Sequence, residues 1–294
     1  MDRRSFIAAL VSGIAVAGAG GVAAYVAGKK GVNPLELLDS SGAPMDRSAT
    51  PTPSPTLVYP DGRPVPTVVP PASEVFGQFA VPRKSRVPVP GGEISSLPGA
   101  GNKVALTVDD GASAETIKAY CDFVERTNFR MTFFITSQYD AWDANMKQLR
   151  RLVDRGNIQV ANHTTTHKWL TRCSDSTIAS QLSGCEAYIR KNFGVTAHPY
   201  FRPPFGAIDD RVARVAASEG YSTPVLWYGS FGDAGKVSSA SIRSLARRWL
   251  LKEHIVIGHA NFPAVAACFD TIESVLHSRQ LQPVTLDDVY ARKL

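Results

Sequence analysis

Val104-Ala105-Leu106-Thr107-Val108 runs straight into Asp109-Asp110-Gly111. A short, mostly apolar run of this kind reads as a buried strand, and the two acids follow it directly. Comparable runs recur at residues 131–135, 158–161, 223–227 and 255–258. Helix-like stretches separate them. In the first, Ile117, Tyr120, Cys121 and Val124 fall at helical spacing. Others lie near 177–192, 209–219, 239–251 and 262–278. Strand–helix alternation implies a parallel sheet with helices outside it. A small or irregular barrel and an open doubly wound sheet both fit. In either one, ligands gather at the carboxyl ends of the strands.

That rule gives meaning to the residues at those ends. Asp109 and Asp110 close the first strand, and Asn162-His163 close the third. Arg202 ends a short stretch at 199–201, Asp233 follows the run at 223–227, and His259 ends the run at 255–258. Five strand ends thus direct polar or ionisable groups toward one face.

His163 and His167 stand four apart, with Thr164, Thr165 and Thr166 between them. On a helical turn this spacing puts both imidazoles on one side, as a metal site needs. Alone, such a pair is commonplace, and paired acids often begin a turn or cap a helix. Together, two histidines and one carboxylate form a pocket for a divalent ion with positions left for water and substrate. The second acid is then free to act as a base on water whose pKa the ion lowers. Arg202 is placed to orient that acid. His259 is placed to protonate a leaving group, with Asp233 as the partner that raises its pKa. The plainer readings are a surface ion pair for Arg202 and a turn residue for Asp233.

In this order the motifs resemble the polysaccharide deacetylases, the NodB-homology enzymes of carbohydrate esterase family four. They are Thr107-Val108-Asp109-Asp110-Gly111, His163-Thr164-Thr165-Thr166-His167, Arg202-Pro203-Pro204-Phe205-Gly206, Asp233 and His259. The resemblance covers roughly residues 101–290 and extends to Thr132-Phe133-Phe134 and to the stretch from 201 to Trp227. It implies a distorted (β/α) barrel, usually of seven strands. It implies removal of N-acetyl groups from polymers of N-acetylated sugars, or of O-acetyl groups from xylan in some members. By position it makes Asp109 the base and Asp110, His163 and His167 the metal ligands. Zinc is the expected ion, with cobalt, nickel and iron open. It makes Arg202 the residue that orients Asp109, His259 the general acid and Asp233 its tuner. The Phe205 N–H becomes an oxyanion donor, with Pro204 and Trp227 beside the substrate. Expected partners are acetylated polysaccharides such as peptidoglycan or a chitin-like chain.

Three positions depart from the family pattern. Ser230 stands where the family has an acid, Ala234 where it has Trp, and Ala260 where it usually has Asp. The missing Trp weakens one wall of the substrate groove, a gap that Phe231 is placed to fill in part. A catalytically weak glycan-binding protein and an O-acetyl esterase are therefore the alternative readings.

The 294 residues are 44% hydrophobic and 20% charged, which excludes a fully disordered chain, a collagen-like repeat and a polytopic membrane protein. A net charge of +6 with no basic cluster disfavours nucleic acid as a partner. Arg3-Arg4-Ser5-Phe6-Ile7 opens a segment with no charge from residue 6 to 28, followed by Lys29-Lys30. This resembles a twin-arginine export signal, although Asp2 occupies the usual Ser or Thr position. Residues 1–30 are thus an export signal or an uncleaved membrane anchor. The expected location is outside the cytoplasm, either secreted or tethered to the outer face of the membrane. Thirteen of the twenty prolines fall between Pro44 and Pro98. Residues 31–100 therefore read as a semi-extended linker whose last part, with Phe76 and Phe79, has the character to pack on the domain. The catalytic domain is expected over 101–294.

Cys121, Cys173, Cys185 and Cys268 all lie in the folded part. In an exported chain they imply two disulfides, expected as Cys173–Cys185 and Cys121–Cys268. The plainer reading of Cys121, on an apolar face, is a buried thiol.

Overall fold

Seven consecutive positions, Val104 to Asp110, account for the centre of the molecule. In this computed structural model, which describes residues 86–99 and 101–292, a first short strand β1 (Val87–Pro88) precedes β2 (Lys103–Asp110). Every residue of β2 after Lys103 is buried, as a parallel strand covered on both faces must be. The chain continues through α1 (Ala114–Thr127), β3 (Met131–Ile135), α2 (Met146–Asp154), β4 (Ile158–Asn162) and α3 (Asp175–Phe193). Then come β5 (Tyr200–Phe201), α4 (Asp210–Ser218), β6 (Thr223–Pro224), β7 (Gly229–Ser230), α5 (Ser239–Trp249) and β8 (Ile255–His259). It ends with α6 (Phe269–Ser278), β9 (Gln282–Pro283), α7 (Leu286–Val289) and β10 (Tyr290–Ala291).

The main sheet runs β6-β5-β4-β3-β2-β8-β7, and all of its ladders are parallel. No ladder joins β6 to β7 among the described residues. The sheet therefore curls into an open, distorted barrel of seven strands with its helices outside. Of the two architectures that the alternation allowed, the barrel is the one formed.

Register puts the functional ends level. Asp109 pairs across with Phe134 and with His259, while Asp110 is level with Ile135. Ile135 is level with Asn162, and Asn162 with Phe201, the residue before Arg202. One rim thus carries all the strand-end residues.

Several elements differ from expectation. The run at 223–227 forms only a two-residue strand, because Leu226 N–H donates instead to Ile94 O and Val225 pairs with Ile94. Helix α2, with Leu149 and Leu152 buried, went unread between more polar neighbours. The last part of the proline-rich stretch packs on the domain, as expected, and adds a strand pair that was not: β1 pairs with β10, and Ile94 and Leu97 are buried.

The expected disulfides are absent, and all four thiols are free. Cys173 lies before α3, and Cys185 lies inside it, ten residues beyond its first residue, Asp175. At 1.5 Å rise per residue that is ~15 Å along the axis, beyond the span of a disulfide. Cys185 Sγ points instead to Ile135 O and Cys268 Sγ to Ser239 O. The charged neighbours of Cys121 are Asp122, Glu125, Lys118 and Arg151, whereas those of Cys268 are Arg243 and Asp233, so the two thiols face different flanks.

The expected export segment lies outside the described residues, as does residues 31–85 of the expected linker. Among the described residues, no helix is long and apolar enough to cross a membrane.

Candidate active site

The two adjacent acids part company at a backbone turn. Asp109 still has strand geometry, but Asp110 has φ 70° and Gly111 φ 105°. Residue 111 must be glycine: a Cβ there would lie 2.1 Å from the buried Trp142 ring. The turn lets neighbouring side chains, which would otherwise point to opposite faces of the strand, reach one site.

Asp109 Oδ1 lies 2.6 Å from Arg202 Nη1 in a fully buried ion pair. Arg202 is held by Thr107 Oγ1 and by the carbonyls of Val225 and Leu226, and it sits over the Phe134 ring. With its fork fully engaged, the guanidinium has little freedom, so it fixes Asp109 as well as compensating its charge.

Asp109 Oδ2 comes within 3.5 Å of His163 Nε2, but only Asp110 reaches both imidazoles. Its Oδ1 lies 3.5 Å from His163 Nε2 and 3.3 Å from His167 Nε2. Its Oδ2 accepts a 2.6 Å bond from Asn261 Nδ2. Burial opposes its ionisation, but His163, His259, His167 and the Asn261 bond outweigh burial and pull its pKa below the usual 3.8. Burial, with His163 beside it, pushes His167 down to about 4, so this imidazole is neutral.

The donor set fits a divalent cation. Asp110 Oδ1 is buried with no hydrogen-bond partner among the described residues. His163 Nδ1 donates to Arg202 O at 2.7 Å, so in the neutral ring the lone pair is on Nε2. That lone pair faces a carboxylate oxygen, a repulsive arrangement unless a cation sits between them. The three ligand atoms lie within 4.8 Å of one another, as one carboxylate and two imidazoles around a single ion require.

His259 stands on the opposite side with Asp233. Its Nδ1 is 3.0 Å from Asp233 Oδ1, and its backbone N–H donates to Asp233 Oδ2. Burial disfavours the imidazolium, yet the bond and charge of Asp233, aided by Asp109 and Asp110, raise its pKa to about 9. The departures from the family pattern are accommodated locally. Ser230 Oγ accepts from Gly232 N–H in the turn that presents Asp233. Phe231 is buried against the space beside Gly258, and Ala260 is buried with its backbone bonded to Asp109 O and Ser113 N.

Phe205 has φ 61° and is 56% exposed. Its ring packs edge-on to His167 and stacks on Trp169, both at 4.6 Å. Arg172 lies over the Trp169 ring. Pro204 is buried, and Trp227 is largely buried against Gly206 and Arg202, so both back the site from within.

All ten expected residues therefore meet at one rim. Sequence reading missed Asn261, two residues beyond His259, and Trp169, two beyond His167. Their only signal was proximity to a motif histidine.

Residues 97–224 match the family model for polysaccharide deacetylase. Over that segment the chain resembles a polysaccharide deacetylase domain. The matched segment holds both acids, both histidines, Arg202 and Phe205, while Asp233 and His259 lie beyond it. The domain is similar to chitin deacetylase 1 of Cryptococcus neoformans var. grubii, 31% identical over 60% of this chain and 33% of that protein. It is also similar to the peptidoglycan-N-acetylglucosamine deacetylase PgdA of Listeria monocytogenes, 27% identical over 65% of this chain and 40% of that protein. The chain thus spans between 33% and 40% of the length of these relatives. Among solved structures, a CE4 family pseudoenzyme from Bacillus anthracis aligns with a TM-score of 0.61 at 19% identity, covering 70% of this chain and 72% of that one. That likeness is one of fold.

Proposed function

We propose that this chain is an exported, divalent-metal-dependent deacetylase that releases acetate from a polymer of N-acetylated amino sugars. The observation that carries this reading is the split between two adjacent acids: Asp109 locked onto Arg202, Asp110 turned to two imidazole Nε2 atoms. Similarity to deacetylases of chitin and of peptidoglycan N-acetylglucosamine supports the substrate class.

Asp110, His163 and His167 would hold the ion. Bound there, zinc, or cobalt, nickel or iron on the same donors, supplies a Lewis acid for the acetyl carbonyl and acidifies water beside it. Asp109, fixed by Arg202, takes a proton from water as its oxygen attacks the carbonyl carbon. The Phe205 N–H donates to the oxygen on which charge develops. His259, with Asp233 favouring its protonated form, gives its proton to the amine nitrogen as the C–N bond breaks. Acetate and a free amino sugar result. The exposed Phe205, stacked on the half-buried Trp169, lines the approach, with Pro204 and Trp227 behind it. The basic, apolar segment at residues 1–30 supports export, as a cleaved signal or a membrane anchor.

A second reading, a glycan-binding protein of weak activity, is favoured by Ser230 and Ala234, which replace an acid and a Trp. Acetate release from N-acetylglucosamine oligomers, with zinc and with a chelator, tests both. Chelator-sensitive release is expected. Oligomer binding without release would establish the second reading, and failure to bind a divalent ion would overturn the first. An ester-linked acetyl substrate, run in parallel, separates an O-acetyl esterase.

A further inference from the structure

The turn that joins the two imidazoles is held in unusual backbone. Thr164 has φ 71° and His167 φ 52°. For a β-branched residue this conformation is an outlier and persists only where its surroundings enforce it.

The enforcing contacts come from outside the site. Gln181, buried on α3, takes four hydrogen bonds from the two residues between Thr164 and His167. Its Oε1 accepts from Thr166 N–H at 2.8 Å and from Thr166 Oγ1 at 3.1 Å. Its backbone oxygen accepts from Thr165 N–H and Thr165 Oγ1, each at 3.0 Å. The helix comes this close because residue 184 is glycine: a Cβ there would stand 2.7 Å from Thr165 Oγ1.

A second set of bonds grips the start of the turn. Asn162 Oδ1 accepts from Thr164 N–H at 2.8 Å. Its Nδ2 donates to Leu182 O at 2.9 Å and to Tyr221 Oη at 2.7 Å. Tyr221 O–H in turn donates to Glu186 Oε2 at 2.8 Å. Glu186 is anchored by Thr196 Oγ1, Ala197 N–H and Arg190 Nε. Flipping the Asn162 amide would set its oxygen against a carbonyl and its NH2 against an N–H, so its orientation is determined.

We infer that Gln181 and the Asn162–Tyr221–Glu186 chain are positioning residues for metal binding. They hold the 163–167 turn in the conformation that brings both Nε2 atoms onto Asp110 Oδ1, and so set the affinity for the ion. This rests on the metal reading above. Bonds behind a ligand act on affinity because they keep its donor atom aimed.

The test measures zinc affinity by competition with a chromophoric chelator, together with the visible spectrum of the cobalt-substituted protein. Gln181→Met removes Oε1 while keeping length and helix preference, Gln181→Glu keeps an acceptor, and Tyr221→Phe cuts the chain at one hydroxyl. Gln181→Met is expected to bind zinc roughly 10- to 100-fold more weakly, with an altered cobalt spectrum. Gln181→Glu is expected to recover most of that loss, and Tyr221→Phe to show a smaller one. Melting of the metal-free proteins controls for folding; should Gln181→Met not fold, Tyr221→Phe decides. Parent-like zinc affinity in the folded variants would overturn the inference while leaving the metal reading intact. So would equal losses in Gln181→Met and Gln181→Glu. A parent protein that binds no zinc would overturn both.

Discussion

His163 Nδ1 donates to the carbonyl oxygen of Arg202 over 2.7 Å. One residue therefore serves both halves of the site. Its guanidinium holds Asp109, and its backbone fixes which nitrogen of His163 is left to bind. The proposed base and the proposed ion site therefore cannot drift independently, which is the geometric condition that water activation between them would need.

Asp109→Asn should cut acetate release by a factor of ~10² to 10⁴, the usual contribution of a positioned general base. Zinc stoichiometry should stay at that of the parent, because Asp110, His163 and His167 are untouched. Measuring both on the same preparation checks it; loss of zinc along with activity would assign Asp109 to the ion instead.

The pH profile should report His259. In the proposed mechanism it works while protonated, and, against burial, Asp233 raises its pKa to about 9, so activity should fall as pH rises through that region. Asp233→Asn removes the charge that raises this pKa and weakens the bond, and it leaves burial, which lowers it. The alkaline limb should therefore move to lower pH, and an unchanged limb would show that another group sets it.

Trp169→Ala should raise KM several-fold with kcat near that of the parent. The ring supports Phe205 in an exposed stack but touches neither acid, and such aromatic contacts contribute about 0.5–1.5 kcal/mol. A fall in kcat alone would mean that the stack acts through His167.

Gly111→Ala should destabilise the fold. The added Cβ meets Trp142, whose Nε1 donates to Thr136 O, and φ at this position disfavours any side chain. Overpacking together with backbone strain gives a loss of ~2 kcal/mol or more, read as a lowered thermal midpoint.

A reductant should leave that midpoint unchanged, and four thiols should titrate once the chain is unfolded. In the native protein Cys121 and Cys185, whose pKa burial pushes up to about 12, should resist alkylation. Fewer than four thiols in the unfolded chain would indicate a bridge.

The barrel's central strands were legible because doubly covered parallel strands are continuous apolar runs, and β2 is one. The ionisable residues were legible because they close those runs, so the run also locates the group. Asn261 was not legible: an amide in a loop has no periodicity, and its partner Asp110 is 151 positions away in the chain. Of residues 86–99, the packing on the domain was legible but not the strand pairing. Proline disfavours regular structure, but it does not prevent Ile94 and Leu97 from entering a core, and two-residue strands such as β1 leave no pattern. The cysteine pairing failed because closeness in sequence says nothing about reach once a rigid helix intervenes.

The pairing of β1 with β10 has a bearing on orientation. The segment from β9 to α7 closes the amino ends of the sheet: β9 pairs with Lys103 and Val104, Leu286 N–H meets Thr132, and Asp288 meets Arg130. β1 joins that floor, so the polypeptide enters the barrel at the pole opposite the acids and histidines. A pull exerted through the incoming strand would be borne by that floor, on the side of the barrel away from the acids and histidines, and would leave the rim that carries them unloaded.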